Sequence, residues 1–484
     1  MASQELYQAL RPFCDKINSV VEARDDISII THLDADGIAA GSIVFLALYR
    51  LGAKCTIRTI SDMNPDVIEE MKSEGRDFYI IVDLGSGIAE ELRMSLGDKW
   101  VIIDHHQITG EEARGLYSDQ ILNAWKYGID GSNEISSGGM AYMFANVLDK
   151  KNKDLSAMAV ISALGDRQDQ GDKKSFIGVN SEILKAAQSL NLVDVNLDLL
   201  FTGRETSPLH EAIAYTSFPY IYGLTWNKEN AYSIIKNSGI KTKDDGRWRV
   251  LSDFSQEEKS IILDAVARFI ITSSKSTAGN MSDELVGYTY TLTREDTQSY
   301  LRDARDFAIL LNACGRIRKA GVGVAVCMGD RSTILAEGEE IASNYRATLR
   351  KYISAIFNEK WRLIDDGVSS IFINGEGLIV ENMLGALSSV LAGSPSLSGR
   401  LLFVRTLSQD GYYKFSSRKC IGCISKLNLG LLMKNHSEYV GGSGGGHHSA
   451  AGCRIPSSRL EDFLSKIRSA ISNNRFSDSS SSSS

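Results

Sequence analysis

Four short clusters of aspartate and histidine follow one another in the first 170 residues. They are His32-Leu-Asp34-Ala-Asp36, Asp83 with Leu-Gly-Ser-Gly after it, Asp104-His105-His106, and Asp166 after an apolar helical pattern. Carboxylates held close together repel one another unless a cation lies among them. A set of carboxylates and imidazoles without thiolates is well suited to Mn²⁺. Because two metal ions about 3.5–4 Å apart support hydrolytic displacement at phosphorus, the residues alone predict a two-metal phosphoesterase.

The elements around these clusters predict that they meet at one edge of a sheet. Short runs rich in Ile and Val, separated by helical patterns, are typical of parallel strands buried on both faces. The runs cover 26–31, 55–60, 78–83 and 100–104, and helical patterns at 37–51 and 66–74 lie between them. A single Asp after a strand is most often a turn former or a helix cap. Clusters on successive elements instead indicate the ligand-binding crevice at the carboxyl ends of the strands.

The clusters resemble, in order, the four motifs of the DHH phosphoesterase superfamily, whose signature is Asp104-His105-His106. Gly444-Gly445-Gly446-His447, followed by Ala-Ala-Gly at 450–452, resembles the pattern of the accompanying DHHA1 domain. Together with the region between them and the stretch 302–316, the chain resembles archaeal RecJ-like single-strand-specific exonucleases. These motifs are also shared by nano-RNases, cyclic-dinucleotide phosphodiesterases and family II pyrophosphatases.

The resemblance implies an α/β fold with a parallel-sheet DHH catalytic domain and a smaller α/β DHHA1 substrate-binding domain. An inserted α+β middle domain separates them. The implied boundaries are 1–194 for the DHH domain, 195–337 for the middle domain and 338–474 for the DHHA1 domain. The low-complexity segment 475–484 is predicted to be a disordered Ser-rich tail.

The resemblance also implies roles for individual residues. One metal ion would be bound by His32 and Asp34 and the other by Asp36, His105 and Asp166, with Asp83 bridging the two. His106 would face the scissile phosphate, while Asp104 would orient the neighbouring histidine from outside the ligand set. Arg418, Gly444, Gly445, Gly446 and His447 would contact the phosphate or sugar of the substrate. The expected cofactors are two divalent ions, Mn²⁺ first and Mg²⁺ as the alternative.

The leading hypothesis is a metal-dependent exonuclease that acts on single-stranded DNA, with RNA left open, in DNA replication or repair. The second hypothesis is a nano-RNase or other small-oligonucleotide phosphodiesterase, although those relatives typically lack the long middle insertion. A replisome scaffold is the third, since some archaeal RecJ-like proteins associate with GINS or with repair helicases. An inorganic pyrophosphatase is disfavoured, because those enzymes are much shorter and carry a different second domain.

The composition of the 484 residues limits the surroundings of the protein. The net charge of −7 excludes a globally basic nucleic-acid coat, but it does not exclude a local basic groove. Two bound divalent ions would add four positive charges where a phosphate must bind. The seven cysteines are odd in number and thinly spread, which predicts reduced thiols in a cytoplasmic protein. We expect no membrane span, because no run of 18 uncharged apolar residues is present.

Overall fold

The computed structural model describes residues 2–108, 119–273, 284–366, 369–446 and 448–480. The chain forms two compact units. The first combines Met1–Thr206 with Val286–Asn344, and the second combines Ser207–Leu285 with Tyr345–Ser484. The region 195–337, predicted as one middle domain, is therefore divided between the two units. The exact domain boundaries given above stay a prediction.

A five-stranded parallel sheet with strand order β2-β1-β3-β4-β5 forms the centre of the first unit. Its strands are β1 (Ile27–His32), β2 (Cys55–Ile60), β3 (Phe78–Val82), β4 (Trp100–Asp104) and β5 (Ile121–Asn123). Apolar cores cover both faces of this sheet, which explains why β3 and β4 are buried along their whole length. The predicted parallel α/β sheet is confirmed, and β5 is an addition too short to be recognised in the sequence.

Helices enclose this sheet on both faces. They are α1 (Ala2–Glu22), α2 (Ala35–Arg50), α3 (Pro65–Glu74), α4 (Ala89–Leu96), α5 (Ser137–Leu148), α6 (Ser156–Gly165) and α7 (Gly178–Ser189). Helices α1, α2 and α5 pack into one core, while α3 and α4 contribute to the core on the opposite face. The α5 helix begins as expected, because the Ser136 hydroxyl caps it by accepting the backbone N–H of Gly139 at 3.1 Å.

A two-stranded antiparallel ladder marks the place where the chain leaves and re-enters the first unit. β6 (Val193–Leu199) pairs with β9 (Val286–Leu292), with Leu199 opposite Val286. After β9 the first unit continues with α11 (Ala304–Arg316) and α12 (Ala320–Cys327). The α13 helix (Thr333–Asn358) then carries the chain into the second unit. The α11 helix continues through Gly315 and ends at Arg316.

The second unit contains a six-stranded mixed sheet with strand order β10-β11-β12-β13-β15-β14. Its strands are β10 (Leu363–Asp365), β11 (Ser370–Asn374), β12 (Leu401–Leu407), β13 (Tyr412–Lys419), β14 (Ser443–Gly446) and β15 (Ala450–Pro456). The other elements are α8 (Leu209–Tyr215), α9 (Lys228–Asn237), β7 (Lys243–Asp244), β8 (Arg247–Trp248), α10 (Gln256–Ser273), α14 (Leu384–Ala392), α15 (Leu429–Tyr439) and α16 (Leu460–Ser480).

The last helix is longer than the serine-rich composition suggested. The closing helix was expected to end near Ser472, but α16 continues to Ser480 and so includes 475–480 of the predicted disordered tail. The segment 460–480 contains neither Gly nor Pro, so no residue in it interrupts a helix. Residues 481–484 lie outside the described residues.

Candidate metal centre

Asp36 is fixed at the start of α2 by donors from two other helices. Its carboxylate has no exposed surface and accepts the backbone N–H groups of Ser137 and Gly138, each at 2.9 Å. It also accepts the Ser162 hydroxyl of α6. Because the N-terminus of α5 carries partial positive charge, it stabilises this buried carboxylate in one orientation. Gly138 is required there, since a Cβ would lie 2.1 Å from the Ser162 Oγ.

Asp83 follows β3 in a backbone conformation that is rare for a residue with a side chain. Its φ of +64° lies in the left-handed region, and such residues concentrate at functional sites. The side chain is buried, and its Oδ1 accepts the Ser137 hydroxyl at 2.8 Å. The unusual backbone therefore directs a carboxylate into the crevice at the carboxyl edge of the sheet.

His105 carries the clearest signal that this cluster binds a cation. Its Nδ1 lies 2.6 Å from the carbonyl oxygen of Gly131, which can only accept, so Nδ1 donates its proton. Its Nε2 is 3.5 Å from Asp36 Oδ2, 3.4 Å from Asp83 Oδ1 and 3.3 Å from Asp166 Oδ2. In the part of the chain that the structure describes, this buried nitrogen has no hydrogen-bond partner. A lone pair facing three carboxylates is stable only when a cation or a proton lies among them.

A second group of potential ligands adjoins the first through Asp83. The Nδ1 of His32 lies 2.9 Å from Asp34 Oδ2 and 3.5 Å from Asp83 Oδ2. Despite these short distances, the nitrogen is not aligned for a hydrogen bond to either carboxylate. The potential ligand atoms of His32, Asp34 and Asp83 lie within 4.8 Å of one another, as do those of Asp36, His105 and Asp166, so each group could hold a metal ion. Asp83 thus lies beside the ligand atoms of both groups.

The electrostatics of the cluster also favour cation binding. Burial, followed by the charges of Asp83 and Asp166, raises the pKa of Asp36 well above its ordinary range. Burial is the largest cause that raises the pKa of Asp166 to about 6, with further contributions from Asp34 and Asp83. A bound divalent cation would reverse these shifts, because it favours the charged form of each carboxylate. The donor set therefore fits the predicted divalent ions.

His106 lies on the exposed side of the cluster, beside Asp83 and His105, and is held by Asp104. Its Nδ1 lies 2.8 Å from Asp104 Oδ1, and 45% of its side chain is exposed. Burial lowers the pKa of His106, but the charge and hydrogen bond of Asp104 outweigh burial and raise it to about 9. Asp104 also accepts the backbone N–H groups of both His105 and His106, at 2.8 and 3.2 Å. Asp104 therefore fixes the turn from which both histidines project.

The α11 helix supports the loop that carries Asp34 and Asp36, a contact that the sequence patterns did not reveal. The side-chain oxygen of Asn312 accepts the backbone N–H of Ala35 at 3.1 Å. A Cβ at Gly315 would lie 1.7 Å from the Leu33 carbonyl oxygen, so only glycine permits the close approach. Because the two segments are about 280 residues apart in sequence, local patterns carry no signal of this contact.

The residues predicted to contact substrate lie in the second unit. On β13, Arg418 Nε donates to Ser389 Oγ at 3.2 Å. Gly444, Gly445 and Gly446 form the edge strand β14, and their contact with substrate stays a prediction. A Cβ at Gly444 would lie 2.6 Å from the Cys453 Cβ, and at Gly446 2.6 Å from the Ala450 oxygen. Gly445 has open space around it. His447 lies outside the described residues.

The structure thus brings together all eight predicted metal-binding and catalytic residues at the carboxyl edge of one sheet. These residues are His32, Asp34, Asp36, Asp83, Asp104, His105, His106 and Asp166. Their individual roles stay predictions. All seven cysteines are free thiols. Within the described residues, none of the helices combines the length and the apolar character needed to cross a membrane.

Comparison with protein-family models gives three matches along the chain. Residues 26–165 match the DHH family N-terminal domain, 200–286 the DHH-CID domain and 396–473 the DHHA1 domain. A curated protein of Methanocaldococcus jannaschii, described as uncharacterised protein MJ0831, is 26% identical over 451 residues. That match covers 92% of this chain and 93% of the other protein.

Solved structures show similarity at the level of the fold. RecJ from Thermus thermophilus in complex with Mn²⁺ matches with a TM-score of 0.58 and 15% identity. The match covers 96% of this chain, which spans only 55% of that RecJ chain. A manganese-bound exonuclease RecJ gives a TM-score of 0.55 at 15% identity, covering 96% and 94% of the two chains. Cdc45 from Entamoeba histolytica gives 0.61 at 13% identity, covering 94% and 97%.

Proposed function

We propose that this member of the DHH phosphoesterase superfamily is a metal-dependent exonuclease that hydrolyses phosphodiester bonds of single-stranded nucleic acid. Its cofactors are two divalent ions, Mn²⁺ first and Mg²⁺ as the alternative, and its cellular role is in DNA replication or repair. The proposal includes both single-stranded DNA and RNA as substrates, a cytoplasmic location, and GINS or a repair helicase as protein partners.

The observation that carries the proposal is the buried Nε2 of His105. This nitrogen has no hydrogen-bond partner in the described ranges of the chain, and it faces three carboxylates at 3.3–3.5 Å. A site built only for stability would pair such an atom with a donor, because an unpaired buried polar atom is costly. The similarity in fold to RecJ structures that contain Mn²⁺ or Mg²⁺ supports the same choice of ions.

The chemistry divides between the ions and the residues of this chain. When bound, two divalent ions supply Lewis-acid stabilisation and lower the pKa of a water molecule. Asp83 lies beside both ligand groups and can hold them in a fixed relation. The half-exposed ring of His106, oriented by Asp104 at 2.8 Å, is the candidate donor to the non-bridging oxygens of a phosphodiester. In the DHHA1 domain, Arg418 and Gly445 are the described candidates for contacts to the rest of the substrate.

Digestion of matched single-stranded DNA and RNA, labelled at the 5′ or the 3′ end, tests this function. The reactions contain Mn²⁺, Mg²⁺ or EDTA, and a duplex of the same sequence serves as the control. We expect stepwise shortening of single strands with either ion, no reaction in EDTA and little reaction with the duplex. A protein that shortens none of these substrates with either ion would contradict the proposal.

A role as a partner-binding replisome component is the second candidate. The fold similarity to Cdc45 favours it, since 97% of that chain is covered. The complete set of aspartates and histidines argues against a purely structural role, so the two functions can coexist. Co-purification with GINS from a native extract tests partner binding.

An oligonucleotide series from two to thirty nucleotides separates the exonuclease from a nano-RNase, which would act only on the shortest members.

A further inference from the structure

A pocket of about 260 Å³ adjoins the metal centre in the first unit. Its lining residues lie at the carboxyl ends of four strands. They are His32 at the end of β1, Ser61 and Asp62 after β2, the segment 83–87 after β3, and Asp104, His106 and Gln107 at the end of β4. In the strand order β2-β1-β3-β4-β5, the chain passes from β1 to β2 on one side and from β3 to β4 on the other, so the order reverses between β1 and β3. Such a switch point is where open α/β sheets bind ligands at their carboxyl edge.

Three polar side chains in this pocket have no role in the metal centre. Ser61, Asp62 and Gln107 are exposed, and none makes a side-chain hydrogen bond or ion pair to another described residue. By contrast, Ser86 in the same pocket already accepts Asn123 Nδ2 at 3.0 Å. The groups available to a ligand are therefore one carboxylate that only accepts hydrogen bonds, one hydroxyl and one amide.

The carboxylate of Asp62 limits which part of a nucleic acid can lie here. A phosphate beside an unpaired carboxylate is disfavoured by like-charge repulsion, so the charged backbone does not continue into this end of the pocket. The uncharged sugar is joined directly to the phosphate that must reach Asp83 and His106, and it therefore enters the pocket before the base does. The volume lies slightly below the range of about 300–1,000 Å³ typical of small-ligand pockets, which suits one such unit.

We propose that Asp62 accepts a hydrogen bond from the ribose 2′-hydroxyl of the nucleotide at the metal centre, and that the protein prefers RNA to DNA. This inference rests on the proposed nuclease function and deepens it. Dinucleotide-binding α/β folds use an acidic residue in the same way. Its carboxylate accepts a hydrogen bond from a ribose hydroxyl beside the carboxyl edge of the sheet. The 2′-hydroxyl is the group by which proteins distinguish RNA from DNA. A hydrogen bond to a charged acceptor supports a difference of about ten- to a hundredfold.

The test compares oligouridine with oligodeoxyuridine of equal length under single-turnover conditions, in wild type, Asp62→Ala and Asp66→Asn. Uracil has no exocyclic amine, which removes one class of base donor from the comparison. Asp66 is an exposed acid four residues away that does not line the pocket, so Asp66→Asn controls for loss of a nearby negative charge. We expect wild type to favour RNA about tenfold or more, Asp62→Ala to lose that preference through slower RNA hydrolysis, and Asp66→Asn to keep it.

Single 2′-O-methyl or 2′-deoxy substitutions in the RNA locate the contact. Both remove the donor, so we expect each to slow wild type at one position and to have no effect there on Asp62→Ala. The inference is overturned if wild type hydrolyses both polymers equally, or if Asp62→Ala slows both by the same factor. Either result leaves the nuclease function standing. That function fails separately if wild type hydrolyses neither polymer with Mn²⁺ or Mg²⁺.

Discussion

The carboxyl edge of the sheet in the first unit and the glycine-rich strand β14 in the second carry the two most recognisable motifs of the chain. They differ in whether contacts with neighbouring residues account for the unusual residues. At the sheet edge, the buried Nε2 of His105 and Nδ1 of His32 have no hydrogen-bond partner among the described residues. In β14, packing against Cys453 and Ala450 already requires glycine at positions 444 and 446. An unusual residue therefore indicates a ligand only where the protein itself does not explain it.

Among the variants considered, Asp83→Asn at the metal centre should lower the rate of hydrolysis most. Asparagine keeps an acceptor for the Ser137 hydroxyl but removes the charge shared by both ligand groups. Lewis-acid stabilisation is worth several kcal/mol, so we expect the rate of hydrolysis to fall by about 10³-fold or more. In EDTA the variant should unfold at the wild-type temperature or higher, because one of several mutually repelling charges has been removed.

Thermal unfolding with and without Mn²⁺ provides the control for Asp83→Asn. Wild type should gain stability on addition of the ion, since a ligand that binds only the folded state raises its stability, and the variant should gain less. Equal stabilisation of both proteins by Mn²⁺, or unchanged hydrolysis, would remove Asp83 from the metal centre.

His106→Asn separates transition-state stabilisation from metal binding. The ring is half exposed and held by Asp104, yet it also lies close to Asp83 and His105. If His106 donates to the phosphate, its loss should lower kcat by about 10²-fold and leave the affinity for Mn²⁺ unchanged. Calorimetric titration of Mn²⁺ into both proteins checks this. A loss of affinity as large as that of Asp83→Asn would make His106 a metal ligand instead.

Asn312→Ala tests whether a distant helix fixes the ligand loop. Its side chain contacts the backbone N–H of Ala35 rather than any ligand atom. Residues that support metal ligands from outside the site typically contribute about 10–100-fold in metal affinity or activity, and we expect a loss in that range. Asn312→Asp retains an oxygen acceptor and should recover part of the Mn²⁺ affinity. If the two variants lose equal affinity, the hydrogen bond to Ala35 has no positioning role.

Features set by local sequence patterns could be predicted, whereas contacts between segments far apart in the chain could not. The predicted strands β1 to β4 agree with the structure within a residue or two. The buried strands β3 and β4 are nearly continuous apolar runs, and Ile recurs in β1. The metal-site residues could be listed because each follows such a run or lies in a short motif. The contact between Gly315 and Leu33 could not be predicted, since it joins segments far apart in the chain.

Two single substitutions in β14, Gly444→Ala and Gly445→Ala, have the smallest expected effects. They test whether packing alone explains the glycines of this strand. In Gly444→Ala the new Cβ would lie 2.6 Å from the Cys453 Cβ and 2.8 Å from the Ser437 Oγ, so we expect a loss of about 1–3 kcal/mol in unfolding free energy. Gly445→Ala meets open space and should change stability by less than about 0.5 kcal/mol. Chemical denaturation measures both.

Substrate binding by the same two variants then decides whether β14 has a function beyond packing. If a phosphate or sugar approaches the backbone at Gly445, the added methyl group of Gly445→Ala should raise KM several-fold at unchanged stability and unchanged Mn²⁺ affinity. An unchanged KM would mean that this glycine contacts no substrate. Of the three glycines, Gly445 alone can separate substrate contact from packing. At Gly444 and Gly446, any change in substrate binding would accompany a change in packing.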